Sequence, residues 1–330
     1  MAGSSRGPSR RQAHGGHTLI ELAVVISIIV LLLAILLPTF ASVRSRARYA
    51  KWQGYSHNLR TDPRMVGYYN FEQQDGEETD ANGRNVIWNR AEGDPIALAR
   101  KVTEPQDYNG ILGNGNVDPT LNPKWDFGRW KGKGSLSFDG TDDYALHRIP
   151  VPGRRFTVFH WALPKTTDEN VIFYDGNGPE AGNESKYDGF GNTSPDGYEL
   201  HTTLRLAGSN SRGHVFLQNS SGAGPDGKVN VNGPDGELKT DQWFFLAATF
   251  NSTTSQMQLF VDTGSPVVGN QSQPSGLNKR SFGYLGATGH FQNLARRLDG
   301  VLDEVGVMNA VMEQSEAEQM YRVGKTRSNR

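Results

Sequence analysis

The side chains that could do chemistry in this 330-residue chain are its carboxylates, because it has no Cys and its eight His are scattered. Absence of Cys removes thiol catalysis and cysteine-bound zinc. Asp303 and Glu304 are adjacent within an apolar strand-like run, Leu298–Met308. Neighbours on a strand point to opposite faces, so they are not expected to form the carboxylate pair, about 5–5.5 Å apart, of a retaining glycosidase. The strand motif Glu-x-Asp-x-x-Glu does not occur, nor does His-Glu-x-x-His. Gly324-Lys325-Thr326 resembles the end of a P-loop, but Gln319 stands where the first Gly belongs and the segment follows a helical pattern. His160 and His201 fall inside strand patterns and read as ordinary sheet residues. These residues point away from an enzyme.

One carboxylate is out of place. Glu21 precedes an apolar run, Leu22 to Leu37, that carries no charge, Gly or Pro until Pro38. Sixteen helical residues span roughly 24 Å, short of a bilayer core of about 30 Å. Starting at His17 brings the span to about 31 Å and takes Glu21 into it. An ionisable group there costs a few kcal/mol and demands a partner. A cut after Gly16 would make His17 the new α-amine, largely cationic near neutral pH. That amine can pair with Glu21 of a neighbouring copy, so the acid becomes a register key in an assembly. Two other readings of the run are a secretory signal cut near Thr39-Phe40-Ala41 and a plain uncleaved anchor. Arg6, Arg10 and Arg11 precede the run, and Arg44, Arg46, Arg48 and Lys51 follow it, so charge alone does not orient it.

Gly16-His17-Thr18-Leu19-Ile20-Glu21, a basic leader before it, the apolar run and Pro38 together resemble the class III leader of type IV pilins and type II secretion pseudopilins. The resemblance implies cleavage by a prepilin peptidase after Gly16 and N-methylation of His17. It also implies residence in the inner membrane with the leader in the cytoplasm and the head in the periplasm or exterior. Assembly with other pilin-like subunits follows, with Glu21 setting register and Pro38 bending the helix. The family usually begins its mature chain with Phe, where this chain has His17.

The rest of the chain is built of strands. Gly numbers 39 and Pro 16, a composition suited to many tight turns, and three Pro-Asp-Gly turns fall at 194–197, 224–227 and 233–236. Net charge is −1, which gives no electrostatic case for nucleic acid. The leader is expected over 1–16, a helix over 17–54 ending at Gly54, a linker over 55–64, a β domain over 65–323 and a basic tail over 324–330. Within the β domain, Met65–Phe71 reads as the first strand, and residues 72–133 as long loops with short strands near Val86–Trp88 and Ala97–Arg100. Phe156–Leu163 alternates, with Phe156, Val158, His160 and Ala162 on one face. Trp243–Phe250 is apolar on both faces and reads as central. Glu313–Val323 is the one helix expected after the anchor, with Ala317, Met320 and Tyr321 facing inward and Ser315 as a possible cap for a shorter form. About ten strands without alternating helices predict an antiparallel sandwich or barrel.

Gly134–Tyr144, Phe156–Trp161, Trp243–Phe250 and Leu298–Val305, in that order, resemble the laminin G-like, concanavalin A-like jelly-roll family of lectin and glucanase folds. The resemblance implies one structural calcium ion where first and last strands meet, held by Glu72, the Gly140 carbonyl and Asp303. It is compatible with glycan or surface-protein binding through loop aromatics such as Tyr187, Phe190, Tyr198 or Phe291. Two readings of function follow. The chain is a pilin-like or pseudopilin-like filament subunit displaying a laminin G-like head, or a membrane-tethered carbohydrate- or protein-binding module with no filament role.

Overall fold

The structure, a computed structural model, describes residues 18–72, 79, 85–93, 109–113, 119–130, 132–147, 149, 154–167, 169–176, 198–205, 212–219, 228–233, 238–270, 282–287 and 297–326. It divides into two units, Met1–Arg48 and Tyr49–Arg330. Helix α1 spans Leu19–Thr61, 43 residues, and passes through both Pro38 and Gly54. The expected stop at Gly54 and the expected linker over 55–64 are therefore corrected: the helix runs on for two more turns. Gly54 costs about 1 kcal/mol in a helix. Trp52, Ser56 and Leu59 recur at helical spacing and are all buried. Burying Trp52 and Leu59 contributes roughly 1.5–3 kcal/mol each, which outweighs one glycine. The turn that follows is short. Asp62 accepts the Arg64 backbone N–H at 2.8 Å and its Nε–H at 3.0 Å, and its carbonyl accepts from Met65.

Two antiparallel sheets follow. The first contains β1 (Met65–Tyr69), β4 (Lys124–Phe127), β5 (Gly134–Asp139), β7 (Arg155–Pro164), β12 (Phe244–Asn251), β13 (Gln256–Val261), β14 (Val267–Asn270) and β16 (Asp299–Met308). Its order is β14-β13-β12-β7-β16-β5-β4, with β1 also paired to β16. The second contains β2 (Val86–Ile87), β3 (Gly110–Leu112), β6 (Ala145–His147), β8 (Glu169–Gly176), β9 (Tyr198–Arg205), β10 (Arg212–Asn219), β11 (Lys228–Asn232) and β15 (Phe282–Leu285). Its order is β11-β10-β9-β8-β15-β6-β3-β2. β12 lies between β13 and β7, as its doubly apolar pattern predicts. The short, polar or Gly-containing strands β3, β4, β11 and β14 carry too little alternation to be read from sequence. The expected strand at Ala97–Arg100 lies outside the described residues, as do the Pro-Asp-Gly turns apart from Gly233.

β7 explains why this sheet is apolar on both sides. Its Phe156, Val158 and Ala162 enter the main core with Phe138, Leu246, Leu302 and Val305. Its Phe159 and Trp161 enter a second core with Leu59 of α1 and with Ala317, Met320 and Tyr321. Those last three belong to α2 (Gln314–Gly324), whose capping box is made by Glu313 and Glu316 rather than Ser315. The Trp161 and Tyr321 rings stack at 5.8 Å.

Two imidazoles are buried in the sheets. His147 on β6 donates from Nε2 to the Tyr174 carbonyl at 2.8 Å and stacks on Phe173 at 4.3 Å. His160 on β7 shares a 2.8 Å hydrogen bond with the Thr202 hydroxyl. His201 lies on β9, and its side chain is outside the described residues. Burial pushes His147 down to about 4 and His160 down to about 3. Both stay neutral in the fold, whereas the unfolded rings take up protons near pH 6.5. Their contribution is therefore complete above pH 6.5 and is lost as pH falls toward the folded values. Asp143, pushed up to about 6 by burial, works in the opposite sense and offsets part of the loss. The expected outcome for His160→Gln is a pH dependence of unfolding free energy between pH 6.5 and 4.5 shallower than the parent's by about one proton. Urea unfolding across that range measures it.

Candidate functional site

Gly16 and His17 lie outside the described residues. Thr18 and Glu21 form a reciprocal cap on α1: the Thr18 N–H donates to Glu21 Oε2 at 2.8 Å, and the Glu21 N–H donates to Thr18 Oγ1 at 3.3 Å. This Ser/Thr-x-x-Glu box is a helix-start signature that the sequence carries in plain view. Pro38 sits within α1. Among the described residues α1 is the one helix long and apolar enough to cross a membrane, and none of its apolar window is buried within the protein.

The second group of site residues lies in the Tyr49–Arg330 unit, where β16 meets α1 and the 128–134 loop. β16 has a register shift between Leu302 and Glu304. A bulge of this kind re-aims side chains. Asp303 and Glu304 consequently converge on one guanidinium, Arg129 Nη2, at 3.1 and 2.5 Å. The expectation that they face opposite ways is corrected by that irregularity. The Arg129 backbone N–H also donates to Asp303 Oδ2 at 2.6 Å, and its Nη1 donates to the Gly324 carbonyl ending α2 at 3.2 Å. The guanidinium lies 4.2 Å from the centre of the Trp161 ring and 4.7 Å from that of Trp130. A Cβ on Gly324 would collide with Arg129 and Trp161, so glycine is required by close approach there. From α1, Trp52 Nε1 donates to Glu304 Oε2 at 3.2 Å, and Ser56 pairs with the Tyr68 hydroxyl at 2.9 Å. The Tyr68 hydroxyl donates in turn to Glu304 Oε1.

Lys133 completes the cluster. Its fully buried ammonium meets Asp303 Oδ1 at 3.1 Å, the Gly134 carbonyl at 3.1 Å and the Asp303 carbonyl at 3.2 Å. It also donates to the Asn70 carbonyl and lies 3.7 Å from Glu72 Oε1. The Tyr49 hydroxyl of α1 donates to Glu72 Oε2 at 3.0 Å, and burial with the Glu72 charge pushes that phenol up to about 12. Burial alone would raise the Asp303 carboxyl, but Arg129 and Lys133 overturn it and hold the group below the ordinary carboxylate range. The Tyr68 phenol is pushed well up by burial and by Glu304.

Glu72 and Asp303 thus do come near each other, around an ammonium. Gly140 is elsewhere: a Cβ there would meet Asp299 Cβ at 2.7 Å. Asp299 precedes Asp303 by four strand residues, roughly 13 Å. Glu72, Gly140 and Asp303 do not assemble as a calcium ligand set, and the oxygens a cation would need there are already bonded to Lys133 and Arg129. In the Gly140 turn the carboxylates of Asp139, Asp142 and Asp143 come within 4.8 Å of one another. Asp139 there accepts N–H groups of Thr141 and Asp142, and Asp143 accepts that of Asp139, so the acids brace the turn. Arg129, Lys133, Trp52 and Trp161 were not singled out as site residues from sequence. The available signal was the basic loop Gly128-Arg-Trp-Lys-Gly-Lys133 in a chain whose closing strand carries Asp-Glu.

A family model for the concanavalin A-like lectin/glucanases superfamily, of laminin G type, matches residues 138–318. The chain belongs to this superfamily. No curated protein matches it. Among solved structures, domain 4 of AbnA, a GH43 extracellular arabinanase from Geobacillus stearothermophilus, in complex with arabinotriose, is 13% identical at a TM-score of 0.45, covering 78% of this chain and 98% of that one. The receptor binding domain of botulinum neurotoxin D is 10% identical at 0.46, covering 79% of this chain and 52% of that one. The Ruminococcus gnavus IT-sialidase CBM40 bound to α2,3-sialyllactose is 16% identical at 0.41, covering 52% and 84%.

Removing one partner from a buried ion pair costs about 3–5 kcal/mol, because the other charge stays behind. Arg129→Met keeps an apolar side chain against Trp161 but removes the cation paired with Glu304 and leaves Asp303 with Lys133. Its expected outcome is a loss of that size in urea unfolding, with the double variant Arg129→Met/Asp303→Asn recovering part of it. Equal stability of Arg129→Met and parent would show the cluster to be inert.

Proposed function

We propose that this chain is a pilin-like or pseudopilin-like subunit that displays a concanavalin A-like head. The coarse architecture is a mainly antiparallel β domain with one long apolar helix at its N-terminus. The observation that carries the finer reading is Glu21: an acid opening an apolar stretch, placed five residues after Gly16. In the reading proposed here, prepilin peptidase cuts after Gly16 and methylates His17. The subunit waits in the inner membrane with its head in the periplasm, and then packs beside other pilin-like subunits.

Glu21 caps its own helix through Oε2, and a carboxylate has about four acceptor sites. The reading proposed here brings the α-amine of a neighbour to this capping carboxylate. Within the Tyr49–Arg330 unit the last turns of α1 are bonded to the β domain, Trp52 to Glu304 and Ser56 to Tyr68. We read the head as non-catalytic. Its adjacent acids, Asp303 and Glu304, are fully enclosed and bonded to Arg129 and Lys133, which leaves no approach for a glycosidic oxygen.

Mass spectrometry of the N-terminus of membrane-extracted protein tests the processing step, with methylated His17 as the expected first residue. A mature chain starting beyond Ala41, or retaining the first sixteen residues, contradicts it. Glu21→Ala is expected to be cut normally and to fail in filament or pseudopilus formation. Normal filaments from that variant remove the register role, and filament-free cells with intact surface display favour the tethered binding module.

A further inference from the structure

We infer that the head cross-links itself covalently, through an amide bond between the Lys133 side-chain nitrogen and the Asp303 carboxyl carbon. Both side chains are fully buried, and Lys133 Nζ lies 3.1 Å from Asp303 Oδ1. One C–O bond more puts the carboxyl carbon within about 4.3 Å of the nitrogen. The Trp52 ring covers Nζ, its centre 4.5 Å away. A Cβ at Gly128 would come 2.3 Å from Asp303 Oδ2, so glycine there lets the loop close over the carboxyl group. Pairing of β5, which starts at Gly134, with β16 holds the two residues together. A nucleophile and an acyl group fixed in contact react at effective concentrations on the order of 10⁵–10⁸ M, which offsets the unfavourable equilibrium of condensation in water.

The groups for the reaction are in place. A proton passes from Nζ to Oδ1 along the 3.1 Å contact, giving an amine beside a carboxylic acid. The nitrogen lone pair attacks Cγ, and the oxyanion forms on Oδ2, where the Arg129 backbone N–H donates at 2.6 Å. Glu72 Oε1, 3.7 Å from Nζ, takes the surplus proton of the attacking nitrogen and returns it to the departing hydroxyl. The Cγ–Nζ bond forms, the Cγ–Oδ1 bond breaks and one water leaves, with no other reactant. A cavity of about 340 Å³ lined by Glu72 and Lys133 gives that water a way out. No charge is stranded: one ammonium and one carboxylate vanish together, and Arg129 stays paired with Glu304 at 2.5 Å. In a chain without Cys the bond staples the start of β5 to the closing strand. The inference stands apart from the filament reading, since it concerns only the head.

Intact-mass spectrometry of the full chain, purified in detergent and then denatured, tests it, together with mapping of proteolytic fragments. The expected mass is one water below that of the sequence, with the fragments that hold Lys133 and Asp303 recovered joined. Lys133→Arg keeps the positive charge without a nucleophilic amine, and should return the full sequence mass. Glu72 is partly exposed, so Glu72→Gln keeps the test sound if Lys133→Arg folds poorly. Folded Glu72→Gln, checked by circular dichroism, should form the link about a hundredfold more slowly in a time course after synthesis. A parent chain at the full sequence mass overturns the proposal, as does a water lost at any other pair, Lys133 with Glu72 included. A link that forms as fast in Glu72→Gln as in the parent overturns the proton route.

Discussion

The Asp303 carboxylate inside the head is the point on which the Tyr49–Arg330 unit depends. A lone buried carboxylate is tolerated only when it is paired and hydrogen-bonded. Here Arg129 supplies a guanidinium and a backbone N–H, and Lys133 supplies an ammonium. Each cation then needs its own enclosure. Arg129 takes aromatic faces and the Gly324 carbonyl, and Lys133 takes the carbonyls of Asn70, Gly134 and Asp303. Satisfying one acid thereby ties together the closing strand β16, the end of α2, the segment after β1 and the 128–134 loop. A domain without disulfides has in this cluster a cross-link made of charge.

The same cluster reaches α1 through Glu304. Trp52 donates to it directly and Ser56 through Tyr68. The rings of Tyr49, Trp52 and Trp130 gather around the contact, with Trp52 and Trp130 centred 5.6 Å apart. The last turns of α1 are consequently part of the head's fold. The apolar residues of the same helix from Leu19 to Leu37 are exposed, and among the described residues this is the one helix long and apolar enough to cross a membrane.

The sequence exposes the parts of this arrangement that obey a period. β7 and β12 are visible because both of their faces are apolar, and α2 is visible through Ala317, Met320 and Tyr321. The apolar run after Glu21 is legible from length and composition alone. Continuation of α1 past Gly54 is not, because it depends on burial against β1 and β16, far away in sequence. Convergence of Asp303 with Glu304 is hidden for a related reason: alternation assumes a regular strand, and the bulge at Leu302/Glu304 breaks it. Lys133 stands among the oxygens where resemblance suggests a metal, and no local pattern distinguishes a lysine bound for the interior from one bound for solvent.

The central claim is that the last turns of α1, the loop carrying Arg129 and the closing strand form one cooperative structure joined through Glu304 and Asp303. Native-state hydrogen exchange on the full chain, parent against Glu304→Gln, tests it most directly. The account predicts that amides of Trp52–Thr61 and of β16 share one opening free energy in the parent and lose protection together in the variant. Helix amides that open at a separate, lower free energy, unchanged by Glu304→Gln, would contradict it.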